Sequence, residues 1–193
     1  MGREKEDTRV KLTKSLVKNA LAELMKTTTT DKISVSMLCD KAGINRGTFY
    51  SHYKDIEQVK KSIKEEFISE LKETIWPYVM AAKRDNLTSY DFIFQILNYV
   101  KENKAASYIV ICTKDEDDFF ANIISTFKSL VELVYPAFFG NRKLLDIDLY
   151  FEYVCGGAVQ IITDWVKNDT FISVEILSEK LNKLIDTTIK FLE

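Results

Sequence analysis

Arg46, Gly47, Thr48, Tyr50 and His52 fall within seven consecutive positions of the stretch GINRGTFYSHYKD, residues 43–55, and His52 is the chain's one histidine. Such a set works through hydrogen-bond donors and acceptors rather than through a nucleophile. A guanidinium and a hydroxyl can address base edges, a phenol and an imidazole N–H can reach phosphate oxygens, and a glycine lets the backbone come close. If a helix spans 45–53, Ile44, Phe49 and Tyr53 point inward and the other five stay outside. Phe49 belongs to a core in any reading, and a lone His can simply cap a helix end. The joint pattern is hard to explain as packing and points to a nucleic acid.

The preceding residues supply the frame. Leu12, Leu16, Val17, Ala20, Leu21 and Leu24 recur at helical spacing through residues 7–26, with lysines between them. The β-branched run TTTTDK does not continue that helix. Ser34 then stands as N-cap for a short helix from Val35 to Lys41, whose inner face carries Val35, Leu38, Cys39 and Ala42. Ala42-Gly43-Ile44 makes a tight turn, Gly43 being able to take a left-handed conformation, and Asn45 caps the next helix. Two short helices joined by a glycine turn form a helix-turn-helix.

Charge divides the chain in the same place. Residues 1–64 hold 14 Lys and Arg against 8 Asp and Glu, and residues 65–193 hold 13 against 21. A basic end on an acidic protein suits phosphate neutralisation, although solvated helix faces produce similar imbalances. With 46% hydrophobic residues but only 2 Pro and 6 Gly, long helices are favoured over a sandwich or barrel, so the expected class is all-α. No apolar run is long enough to cross a bilayer, and MGREKEDTRVK lacks the apolar segment of a signal peptide. A cytoplasmic protein without membrane contact is expected. Cys39, Cys112 and Cys155 are widely spaced in apolar surroundings and read as buried free thiols.

The passage VSMLCDKAGINRGTFYSHYKDIEQV, Val35 through Val59, resembles the DNA-binding signature of the tetracycline-repressor (TetR) family, an alanine-glycine turn leading into a Thr-aromatic-Tyr-x-His-aromatic helix. The resemblance implies a three-helix DNA-binding domain at 1–54 and a larger helical effector-binding and dimerisation domain at 55–193. It also implies that Ser34, Asn45, Arg46, Gly47, Thr48, Tyr50, His52 and Lys54 form the DNA face. Arg46 and Gly47 fall among the variable base-reading positions; Thr48, Tyr50 and His52 fall where DNA is usually touched. Where the family commonly has a phosphate-binding Lys near the start of the fourth helix, this chain has Ile56, so Lys54 or the local backbone N–H groups take that role. Partners implied are a near-palindromic DNA duplex, a small-molecule effector and a second copy of the chain, with no cofactor.

Beyond Asp55, Ile56, Val59, Ile63, Phe67, Leu71 and Ile75 mark a long helix that Pro77 kinks or ends. Further helical patterns cover 89–102, 105–113, 117–135, 144–167 and 174–192, about nine helices in all. Trp76, Tyr78, Phe92, Tyr99, Tyr108, Phe127 and Trp165 suit an apolar effector cavity, although each suits an ordinary core equally well. Gly156 and Gly157 would let two backbones approach, and Leu177, Leu181, Leu184 and Ile185 offer an apolar stripe for a homodimer. The acidic run DEDD at 115–118 reads as charge at a helix start rather than a metal site. With no phosphate-cradling loop and no Cys or His metal spacing, no enzyme is expected. The alternative is a helical interaction protein or coactivator controlled by a protein partner.

Overall fold

The computed structural model describes residues 2–82, 89–112, 125, 128–129, 144–168 and 172–189. Among them the regular structure is helical throughout: α1 (Gly2–Met25), α2 (Val35–Ala42), α3 (Arg46–Tyr50), α4 (Ile56–Ala82), α5 (Ser89–Glu102), α6 (Lys104–Cys112), α7 (Leu144–Lys167) and α8 (Val174–Ile189), with a 3-10 turn at Thr30–Lys32. The expected all-α architecture is found. Most of the pattern at 117–135, including Phe127, and the DEDD run lie outside the described residues.

The chain divides into two compact units. The first holds residues 1–67 and 103–114; the second holds 68–102 and 115–193. In the first, α1 packs against both α2 and α6, and α2 against α3. Val17 and Leu21 of α1, Leu38 of α2, Phe49 of α3, Val59 of α4 and Ile109 of α6 are sealed from solvent. Removing such side chains from water is what fixes the short helices α2, α3 and α6, which would be marginal alone.

In the second unit α8 lies along α5 and also meets α7. Leu97, Val174, Leu177 and Leu181 are buried there, as are Leu71, Ile75 and Val79 of α4. Tyr99 donates to Glu70 Oε2 at 3.0 Å, which ties α5 to α4. Pro77 does not end α4, which continues to Ala82. The proline is exposed, a position at which a helix loses one hydrogen bond without its apolar packing being disturbed.

Candidate nucleic-acid interface

Local hydrogen bonds explain why residues 34–53 fold as they do. Ser34 is extended and its Oγ accepts from the Met37 amide at 3.2 Å, capping α2. The other end of α2 closes on Gly43, at φ 68° and ψ 31°, whose amide donates to the Asp40 carbonyl while that of Ile44 donates to Cys39. This is a Schellman closure, and it needs a residue without a Cβ penalty in the left-handed region. Asn45 Oδ1 then accepts from the Thr48 amide at 2.7 Å and starts α3. After Tyr50 the chain stays turned: the His52 and Tyr53 amides both donate to the Phe49 carbonyl at 2.9 Å.

Phe49 and Tyr53 anchor this segment, at 0% and 5% exposure, their rings 5.8 Å apart. Burial, reinforced by the nearby Glu66 charge, pushes the Tyr53 phenol above its ordinary pKa. Ser34, Asn45, Arg46, Gly47, Tyr50 and Lys54 are exposed, and Thr48 and His52 are half-buried. Tyr50 stands 58% exposed with the edge of its ring against Phe49. His52 tilts against the Tyr53 ring. The eight expected residues therefore sit along one short run of the first unit.

Two side-chain arrangements flank this face, of which the Asp55 cap was expected from sequence and the Arg46 contact was not. Arg46 Nη2 donates to the Ser36 hydroxyl of α2 at 2.9 Å, so the guanidinium is tied across the turn. At the start of α4, Asp55 Oδ1 accepts from the Gln58 amide at 2.8 Å while Gln58 Oε1 accepts from the Lys54 amide. Side chains thus already occupy two of the backbone donors near this helix start.

The remaining expected residues scatter more widely. Tyr108 belongs to the first unit, in α6, whereas Trp76, Tyr78, Phe92, Tyr99 and Trp165 belong to the second. The Trp165 indole N–H is committed to the Ile172 carbonyl at 2.8 Å, and the Tyr99 hydroxyl to Glu70. Trp76 is exposed. Gly156 and Gly157 are both exposed, and a Cβ built on either meets no atom of the described residues within 4 Å. Packing among the described residues does not require them, yet each weakens a helix interior by about 0.5–1 kcal/mol relative to Ala. On the same side of α7 lie Leu149 and Tyr153, at 63% and 72% exposure, and Ile161. Their spacing of four, with the glycines three and four residues on, is the sequence signal for an outward stripe. In α8, Leu177 and Leu181 are buried inside the chain, Ile185 is half-buried, and Ile176 and Leu184 are exposed.

Among the described residues no helix is long and apolar enough to cross a membrane. Residues 87–187 match the TetR-type family model described as a transcriptional regulator C-terminal region. A curated relative, the uncharacterized HTH-type transcriptional regulator YxbF of Bacillus subtilis (strain 168), is 24% identical over 174 residues, which cover 88% of this chain and 43% of the relative. The chain thus spans less than half the length of that relative. Among solved structures, a TetR-like transcriptional regulator from Rhodococcus sp. RHA1 aligns with TM-score 0.68 at 15% identity, covering 92% of this chain and 96% of that one. The regulator FadR from Bacillus subtilis, solved in complex with stearoyl-CoA, aligns with TM-score 0.63 at 16% identity, covering 89% and 96%.

Proposed function

The chain belongs to the TetR family of transcriptional regulators, and from that membership we propose that it is a homodimeric, DNA-binding repressor released from a near-palindromic operator by a small-molecule effector. One observation carries the DNA reading. Phe49 and Tyr53 spend the apolar side of residues 45–53 in the core, so Arg46, Gly47 and Tyr50 remain outside on a capped, rigid support. Arg46 reads a base, Thr48 supports it, and Tyr50, His52 and Lys54 anchor to phosphate, with the caps Ser34 and Asn45 at the edge of the footprint. On this reading residues 1–54 are the reading head, and the protein works in the cytoplasm beside the DNA.

The dimer forms through the outward face of α7, where Gly156 and Gly157 have no packing role among the described residues and Leu149 and Tyr153 are exposed. Effector binding falls to the aromatic second unit, around Trp76, Tyr78, Phe92 and Tyr99; the FadR likeness supports a ligand-responsive body of this kind.

Selection of bound duplexes from a random pool tests the whole. Enrichment of a two-fold site with half-sites one helical turn or a multiple apart is expected, about 34–36 Å between centres. A pool that enriches nothing, while the protein captures a folded helical partner, would put the coactivator reading in its place.

A further inference from the structure

Arg46 is the first residue of α3 and Ser36 the second of α2, yet their side chains meet at 2.9 Å, Nη2 donating to Oγ. Both helices are held independently of this contact. The Ser34 cap and the Gly43 closure fix α2, and the Asn45 cap with buried Phe49 fixes α3. The guanidinium is therefore tethered at two ends, by its own backbone and by a hydroxyl ten positions earlier on the other helix.

A guanidinium presents five N–H donors in a rigid fork. Its two-donor edges pair Nη2 either with Nη1 or with Nε, and Nη2 contributes one hydrogen to each. Ser36 takes one Nη2 hydrogen. Whichever it takes, the other remains beside its partner nitrogen, so one complete edge stays open. That edge matches the O6 and N7 acceptors of guanine in a major groove. Losing the tether would free a long side chain whose rotamers must then be ordered on binding.

We infer that Ser36 is a specificity-determining positioning residue, which braces Arg46 across the helix-turn-helix so that its open edge reads one guanine in each half-site. The inference rests on the DNA-binding reading above and adds to it the base that Arg46 reads and the residue that aims it.

The test is competitive binding of the intact protein to the selected duplex and to versions substituted at the position read by Arg46, over several salt concentrations. Ser36→Ala, at a helix position that tolerates alanine, should reduce the preference for guanine there by roughly 2- to 10-fold, the range set by the entropy of immobilising one such side chain. The salt slope should not move, because every phosphate remains neutralised as before. Ser36→Thr, which keeps the hydroxyl, should retain the preference. In an Arg46→Ala background, Ser36→Ala should change nothing further.

A Ser36→Ala variant that weakens every sequence alike, or sharpens the guanine preference, overturns the brace. The second result would mean that Ser36 holds Arg46 away from the base. Variants indistinguishable from the parent, on a parent that selects a site, overturn the brace alone. A parent that selects no site overturns the DNA reading and the brace together.

Discussion

Asn45 Oδ1 accepts the Thr48 amide at 2.7 Å and lies 3.3 Å from where a Cβ on Gly47 would stand. The cap that starts α3 and the glycine beside it are therefore one arrangement. Asn45→Ala removes the cap and should cost about 1 kcal/mol, within the range of roughly 0.5–2 seen for such changes, lowering the melting temperature by about 2–4 °C. Gly47→Ala is different. It gains about 0.5–1 kcal/mol of helix propensity but crowds the capping oxygen by a few tenths of an ångström. The two effects oppose, so melting should stay within about 2 °C of the parent while operator affinity falls, because the capped backbone shifts beneath Arg46 and Thr48. A Gly47→Ala protein that is both more stable and equally tight on DNA would show that the crowding is relieved without consequence.

A second expectation concerns alkaline stability. The Tyr150 hydroxyl faces the Ile185 carbonyl at 3.4 Å. Burial, with Asp186 and Cys155 nearby, pushes its pKa from 10.0 to about 12. Because the folded value exceeds the unfolded one, the neutral phenol's contribution is fully present below pH 10 and lost as pH rises through about 12. Two pKa units correspond to ~3 kcal/mol at most. Cys155, pushed from 9.0 to about 11 chiefly by burial, adds a loss that begins above pH 9. Urea melts from pH 8 to 11.5 should show stability declining above pH 9. Tyr150→Phe should flatten the part above pH 10; an unchanged profile in that variant would place the alkaline weakness elsewhere.

Much of the first unit could be read directly from sequence because its signals are local. Ser34, Gly43 and Asn45 act within four residues of themselves, and each makes the expected cap or turn. The bounds of α5 and α7 were equally plain from periodicity. Contacts between distant residues were not. Nothing in a one-dimensional pattern pairs Arg46 with Ser36, or sends α6 and its Tyr108 to pack with α1. The stripe on α8 was visible as apolar, but a helix face cannot reveal whether it meets its own chain. Leu177 and Leu181 are buried in it, whereas Leu184 is exposed. Of the two outcomes expected at Pro77, a kink or an end, the end does not occur, because a proline at an exposed position removes one hydrogen bond without stopping the helix.

The α7 face yields a prediction with opposite signs. Gly156→Ala with Gly157→Ala should stabilise the folded chain by about 1–2 kcal/mol, since neither Cβ meets a neighbour among the described residues and both positions are helical. The same pair should weaken self-association if two copies of α7 approach there. Tyr153→Glu should weaken it further, by a factor of roughly 30 or more if the ring is an interface hot spot. Sedimentation equilibrium measures the association, and thermal melts at low concentration measure the fold. Dimers as tight as the parent's in both variants would move the interface off this face.

The last prediction separates reading from anchoring within the α3 segment. Arg46 is exposed on the first turn, with one guanidinium nitrogen on Ser36 and the rest of the fork open. Lys54 is exposed beyond the turn, next to the α4 cap formed by Asp55 and Gln58. Arg46→Ala should relax preference at one position of each half-site, at a cost of about 1–3 kcal/mol for removing a bidentate pair of hydrogen bonds. Lys54→Ala should weaken all sequences alike and lower the slope of log affinity against log salt by about 0.9 for each phosphate no longer neutralised. In a two-fold dimer that is one phosphate per half-site, so the slope should change by about twice that amount. Binding titrations at four salt concentrations, on the selected site and on a scrambled duplex, distinguish the two effects. Should both variants match the parent on both duplexes, residues 45–54 would not be the reading surface.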